Sequence, residues 1–165
     1  MELPPDIHPD ITRLFAYYGK VAAADALPSI HNIDPLHLPG IVDGIVLIDV
    51  RRRPYRFRNR YAGVRIESFA GESIKGWPFA AHLRGDLRRN VELNLINVVK
   101  TKQPTWRRGK PMIRFDRANV ELERVYLPLA SDGQTVDSIL SFTIHRRVTR
   151  PADQRFEKPI KLWTR

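Results

Sequence analysis

The chain has 165 residues, of which 28 are Lys or Arg and 18 are Asp or Glu, so its formal net charge is +10 and its length suits one domain. It contains no cysteine, which excludes disulfide scaffolds, cysteine nucleophiles, Cys-ligated zinc and iron–sulfur clusters. No run approaches the ~18 consecutive apolar residues of a membrane span, and the acidic start is unlike a secretory leader, so we expect a soluble, cytoplasmic protein.

An amphipathic helix is predicted over residues 10–26. Its apolar residues recur at steps of three and four, and Pro9 suits a first helical turn. The apolar stripe consists of Ile11, Leu14, Phe15, Tyr18, Val21 and Ala22. A proline-punctuated connector over residues 28–39 follows the helix.

Two adjacent strands are predicted from two different patterns. Residues 45–50 form a short, continuous, mostly β-branched run, which is typical of a central strand covered on both faces. Residues 55–61 alternate strictly, as in a half-buried strand whose polar side faces solvent. One side carries Tyr55, Phe57, Asn59 and Tyr61, and the other carries Arg56, Arg58 and Arg60.

The second half of the chain is predicted to hold one long helix and three strands. Glycine-spaced residues 62–83 favour brief helical turns, and helical spacing continues from 84 to 102, before Pro104. The strands are predicted at about 105–109, 118–129 and 135–147. The apolar phase changes within the second of these strands, which favours a bulge or an edge bend near Arg124.

The order of these elements is that of a PAS domain, and several segments resemble a bacterial PAS-like family known chiefly as small stand-alone proteins. The similar segments are Tyr17-Tyr18, Leu27-Pro28-Ser29, Ile33-Asp34-Pro35, GIVLIDV, YRFRNRYAGVRIESFAGESIKGWPF, KTKQPTWRRG and RVYLPLASDGQTVDSIL. Together they cover about residues 10–147. The resemblance implies an α+β fold with a five-stranded antiparallel sheet and helices on one face, to which this chain adds an N-terminal amphipathic helix.

The patterns along the chain predict its division, and the resemblance implies a function. We expect the N-terminal helix and connector in residues 1–39, the PAS-like domain in residues 40–147, and a basic C-terminal tail in residues 148–165. The implied function is sensing or protein–protein interaction in signal transduction, with no particular ligand or cofactor. Because 165 residues leave no room for a kinase, cyclase or DNA-binding module beside this domain, we expect a separate output protein as the partner.

A ligand cavity is expected between the helical face of the sheet and the long helix. Residues on the inward side of the strands are the candidates for ligand contact: Tyr55, Phe57, Asn59, Tyr61, Leu140, Phe142 and Ile144. Asn59 stands out because a buried carboxamide needs hydrogen-bond partners, which a ligand or the backbone would supply. The alternative is a filled core in which Asn59 is satisfied internally.

The sequence shows no catalytic or metal-binding constellation. Its five histidines have neither the i, i+4 spacing of a helical metal site nor a carboxylate in motif register. It also lacks a glycine-rich phosphate loop and the local context of a catalytic triad. We therefore expect no enzymatic activity and no metal. By loose analogy with haem-binding PAS domains, His82 is a candidate axial haem ligand, although a lone histidine there is more often structural.

A homodimer is expected because the long helix already covers one face of the sheet, which leaves the N-terminal helix to bury its apolar side elsewhere. The predicted interface residues are Ile11, Leu14, Phe15, Tyr18 and Val21. The alternative is that this helix covers the other face of its own sheet.

The basic charge leaves a nucleic-acid-binding regulatory protein as the alternative function. Residues 51–65 contain seven arginines and no acidic residue, and a basic strand interleaved with aromatics resembles sheet-type RNA readers. However, the aromatics and the arginines of residues 55–61 point to opposite faces, so one surface cannot both stack bases and neutralise phosphates. Nucleic acid is therefore the less favoured partner.

Overall fold

The computed structural model describes residues 6–23, 25–81, 83–109 and 120–147, and the backbone of residues 160–161. Three α-helices and six strands are present in the described part of the chain. The helices are α1 (Pro9–Val21), α2 (Val64–Ala70) and α3 (Gly85–Thr101). The strands are β1 (Ile45–Arg51), β2 (Arg56–Ala62), β3 (Thr105–Gly109), β4 (Val120–Leu129), β5 (Ser138–Arg147) and β6 (Ile160–Lys161).

The strands form a single antiparallel sheet in the order β2-β1-β5-β4-β3-β6. Its first five strands confirm the predicted α+β class and the five-stranded antiparallel sheet. The two residues of β6 pair with Thr105 and Trp106 at the outer edge of β3. Part of the predicted tail therefore joins the sheet, while residues 148–159 and 162–165 lie outside the described residues.

Helix α1 covers one face of the sheet. Pro9 at its start and a hydrogen bond from the Asp10 amide to His8 Nδ1 (3.1 Å) cap its N-terminus. Its apolar stripe packs on β1, β4 and β5, and the Tyr18 hydroxyl donates to the carbonyl of Pro128 (2.6 Å). The helix thus binds its own sheet, as in the second of the two predicted arrangements.

This packing corrects the predicted dimer interface. Ile11, Leu14, Phe15 and Tyr18 are at most 3% exposed in a single chain, and Val21 is half-buried. The apolar side of α1 is therefore unavailable to a second copy while it covers the sheet. Homodimer formation itself stays a prediction, and it would need another surface.

Helix α3 covers the opposite face, which it shares with α2, so α1 is the additional helix on the other face. Its residues Leu95, Val98 and Val99 pack against Val46 and Ile48 of β1. The neighbouring β1 residues Ile45 and Leu47 belong to the core beneath α1. Strand β1 is thus covered on both sides, which confirms the interpretation of its continuous apolar run.

The predicted bulge near Arg124 is wrong, because β4 pairs with β3 and β5 in unbroken register. The apolar phase of β4 changes because the strand is buried on both faces. Leu122 lies on the α3 side, while Val125 and Leu127 lie beneath α1. The irregularity lies instead in the pairing of β1 with β2, between Leu47 and Ile48.

Candidate ligand cavity

A cavity of about 380 Å³ lies on the α3 side of the sheet. This volume is within the range of sites that enclose small molecules, ~300–1,000 Å³. The sheet forms its floor, and α2, the chain between α2 and α3, and Val91 of α3 form its other walls. The lining residues are Val46, Asn59, Ile66, Phe69, Ala70, Glu72, Ile74, Trp77, Phe79, Ala80, Leu83, Val91, Leu122, Arg124, Ser141, Thr143 and His145.

The segment 74–79, here called the roof segment, is attached to the edge strand β2 by backbone hydrogen bonds. The amides of Gly76 and Phe79 donate to the carbonyls of Asn59 (2.7 Å) and Phe57 (2.8 Å), and the Asn59 amide donates to the Trp77 carbonyl (2.9 Å). These bonds satisfy backbone groups that an edge strand would otherwise leave open. The pairing places the roof segment directly beside Asn59.

The start of helix α2 lies close to the chain that leads into β1, and Gly63 makes this close approach possible. A Cβ at this position would lie 2.4 Å from the carbonyl oxygens of Val42 and Asp43, so only glycine fits without a shift of the backbone. This contact allows α2 to begin directly after β2. Ile66, Phe69 and Ala70 of α2 then line the cavity.

The floor of the cavity carries polar side chains at its β4–β5 end. Ser141 and Thr143 are each 1% exposed. Arg124 donates from Nε to Thr143 Oγ1 (2.8 Å) and from Nη1 to the Tyr126 hydroxyl (3.2 Å). The His145 ring stacks on Phe69 with 3.7 Å between the ring centroids. This end of the floor therefore combines fixed hydrogen-bonding groups with a positive charge.

Asn59 supplies the polar group at the β2 side of the cavity. It is 4% exposed, and its Nδ2 donates to the carbonyl of Ile74 in the roof segment (3.2 Å). Its Oδ1 is buried and has no hydrogen-bond partner among the described residues. A buried carboxamide oxygen without a partner is energetically unfavourable, and buried polar groups in native proteins rarely stay unsatisfied. A ligand with a donor group would satisfy it.

A family model of the PAS domain matches residues 7–144, which is most of the chain and includes every residue that lines the cavity except His145. The chain belongs to the PAS domain family. Searches of the curated proteins and of the solved structures find no match to it. Family membership indicates a sensory or regulatory module in general terms and specifies neither a ligand nor a partner.

The PAS cavity contains only one of the seven predicted ligand residues, Asn59. Tyr55 and Phe57 lie on the α3 side, where their rings stack and pack into the core away from the cavity. Tyr61 is 40% exposed. The bulge in β1–β2 pairs Tyr61 with Leu47, a residue of the core beneath α1, and so removes Tyr61 from the side occupied by Asn59.

The three candidates of β5 are on the wrong face. Leu140, Phe142 and Ile144 pack beneath α1, and the alternate residues Ser141, Thr143 and His145 line the cavity. The sequence interpretation assumed that the apolar side of β5 would face the cavity. The strict alternation of polar and apolar residues in Ser-Phe-Thr-Ile-His correctly indicates two faces of the strand. The prediction placed the apolar face at the cavity, whereas the polar face lies there.

A second buried polar cluster lies on the α1 side of the sheet, outside the cavity. Glu123 is 3% exposed and accepts hydrogen bonds from Trp106 Nε1 (2.8 Å), the His8 amide (3.0 Å) and Arg108 Nη2 (3.1 Å). Arg108 also pairs with Asp6 and, by donating a hydrogen bond to it, lowers the pKa of that carboxyl below its usual value. This cluster joins the start of α1 to β3 and β4, so its role is structural.

Within the described residues, no group of three His, Asp or Glu side chains is arranged to hold a metal ion. His82, the candidate haem ligand, lies outside the described residues. No helix in the described part of this PAS domain is long and apolar enough to span a membrane.

Proposed function

We propose that this PAS domain is a non-catalytic, cytoplasmic sensory module that binds a small molecule in its cavity and signals occupancy to a separate output protein. The observation that carries the proposal is the buried Oδ1 of Asn59, a residue that lines a cavity of about 380 Å³, because this oxygen has no partner among the described residues. A core built only for packing would leave neither the space nor the unsatisfied oxygen.

Asn59 also connects the cavity to a segment of the protein surface, so that a change at the cavity would reach a partner protein. Asn59 lines the cavity and also holds the roof segment, through its side chain and through both of its backbone polar groups. A ligand that bonds to Asn59 would therefore act directly on the attachment of this segment. Trp77, in the roof segment, is 42% exposed, so a change in the roof would be readable by a partner protein at this aromatic side chain.

The proposal is tested by measuring whether the purified protein carries a bound small molecule. Native mass spectrometry of the wild type should reveal a co-purified small molecule or, after addition of compounds, a stoichiometric complex. Ala70→Phe fills the cavity and should abolish this mass, whereas Ala16→Phe, on the exposed side of α1, should retain it. Thermal melting of both variants checks that they are folded. A wild type that neither carries nor accepts any small molecule would refute the cavity function.

The exposed arginines of β2 keep nucleic acid as a second candidate. Arg56, Arg58 and Arg60 all lie on the exposed side of this edge strand, although Arg60 pairs with Asp49. A salt titration against a random oligonucleotide separates the two functions. Binding that disappears by ~150 mM salt reflects nonspecific attraction to phosphates, and tight binding that persists would favour a nucleic-acid partner.

A further inference from the structure

One end of the cavity is positively charged. Arg124 lines this end and lies directly opposite Arg107 of β3 in the register of the sheet. No described carboxylate lies within ion-pair distance of Arg124. An anion at this end would neutralise the charge of Arg124.

Arg124 retains hydrogen-bond donors for such an anion. A guanidinium has five N–H donors, and Arg124 uses one on Thr143 and one on Tyr126. Its remaining donors make no hydrogen bond to described residues. Because both existing partners are neutral oxygens, they fix the plane of the guanidinium without neutralising it. A carboxylate suits this geometry, since a guanidinium binds it through two parallel hydrogen bonds.

Asn59 lies at the other end of the cavity. In the register of the sheet, Asn59 opposes Ile48, which opposes Ile139, while Arg124 opposes Thr143, four residues further along β5. The strands of Asn59 and Arg124 are three spacings apart, about 14 Å across the sheet. Apolar side chains such as Val46, Ile66 and Leu122 line the cavity beside these two polar groups.

We propose that the cavity binds an elongated organic anion with a carboxylate at Arg124, an apolar body, and a hydroxyl or N–H group that donates to Asn59 Oδ1. This inference rests on the proposed function of the cavity and specifies the chemistry of its ligand. The carboxylate cancels the charge at one end, and the donor satisfies the buried oxygen at the other. Glu72 also lines the cavity, but it is exposed and makes no ion pair with Arg124, so it leaves the Arg124 position open.

A matched series of ten-carbon compounds tests both contacts. The probes are 10-hydroxydecanoate with both groups, decanoate without the donor, and 1,10-decanediol without the anion. Titration calorimetry on the wild-type chain should show that 10-hydroxydecanoate binds at least tenfold more tightly than the diol and several-fold more tightly than decanoate. Arg124→Gln should weaken 10-hydroxydecanoate at least tenfold and leave the diol unchanged. Asn59→Leu should remove the difference between 10-hydroxydecanoate and decanoate.

The control is Arg56→Gln, which removes an exposed arginine on the outer side of β2 and should leave all three affinities unchanged. Circular dichroism and urea unfolding verify that each variant is folded. Equal affinities for the anion and the diol, the same loss of both in Arg124→Gln, or no binding of any probe would overturn the proposed ligand class. The cavity function is judged separately, because a neutral or cationic molecule found in the purified protein would support it while contradicting the anionic ligand.

Discussion

The two faces of the sheet differ in how completely they are filled, although the same strands build both. On the α1 side, β5 presents Leu140, Phe142 and Ile144 to a continuous apolar core. On the α3 side, the residues between them, Ser141 and Thr143, are equally buried but polar, and they lie at the floor of a cavity. A side that is packed with apolar side chains stabilises the fold, whereas polar groups around an open space are suited to recognition. The face that α1 covers therefore stabilises the fold, and the opposite face has space for a ligand.

The largest effect is expected from a truncation in the filled face. Phe15 is 1% exposed and packs in the core beneath α1, so Phe15→Ala should lower the free energy of unfolding by about 3–5 kcal/mol through lost burial and a residual cavity. Phe79→Ala, at the wall of the existing cavity, should cost less than half as much, because Phe79 is only partly buried. Urea unfolding measures both.

The same variant tests the position of α1. A small loss of stability in Phe15→Ala, together with dissociation of a wild-type dimer in sedimentation, would show that a second copy covers this helix. That result would restore the interface predicted from the sequence and contradict the packing of α1 on its own sheet.

A second large effect is expected from the buried carboxylate of the filled face. Glu123→Ala leaves the Trp106 N–H without its partner and the Arg108 guanidinium with only the exposed Asp6, so we expect a loss of about 3 kcal/mol in the free energy of unfolding. The control is Arg146→Ala. Arg146 reaches Glu123 at 3.5 Å, but its side chain is 48% exposed, and its loss should cost at most about 1 kcal/mol. Similar losses in both variants would show that Glu123 is not an effectively buried charge.

On the cavity face, a polar residue should be dispensable for folding. Asn59→Leu removes one hydrogen bond to Ile74, and it also removes a buried oxygen without a partner among the described residues. Because these two effects oppose each other, the free energy of unfolding should change by at most about 1 kcal/mol. A loss of about 2–3 kcal/mol in urea unfolding would instead identify Asn59 as a structural residue and weaken its assignment to a ligand.

The sequence predicted the elements well because each one has a local signal. The spacing of α1, the continuous apolar run of β1 and the alternation of β2 all correspond to observed elements with shifts of only a few residues at their ends. The order of these elements, together with the quoted motifs, was sufficient to place the chain in the PAS family, which the family model confirms.

The cavity was predicted poorly because it depends on which side of each strand faces which helix. The alternation in β5 shows that the strand has a polar and an apolar face, but it does not show that α1 packs on the apolar face. The bulge between Leu47 and Ile48 also has no clear local signal, and it changes the side on which Tyr61 lies. The roof segment was missed because its attachment to β2 is made mainly by backbone groups, which carry no information about residue type.

The smallest effect is expected from acid at the edge of the filled face. The hydrogen bond from Arg108 lowers the pKa of Asp6 below its usual value. A lowered pKa means that the pair contributes its full stability above about pH 4, the range of an unfolded aspartate, and loses it as the pH falls through the lower value of the folded state. Asp6 is mostly exposed, so the contribution is small and weakened by salt. Urea unfolding at several pH values between 5 and 2 should therefore show that the free energy of unfolding declines slightly less steeply for Asp6→Asn than for the wild type.

Asp132→Asn provides the comparison, because two backbone amides in the turn between β4 and β5 lower the pKa of Asp132 to about 2. If only Asp132→Asn makes the free energy of unfolding less sensitive to acid, the turn between β4 and β5 causes the acid sensitivity, and the Asp6–Arg108 pair contributes nothing to the attachment of α1.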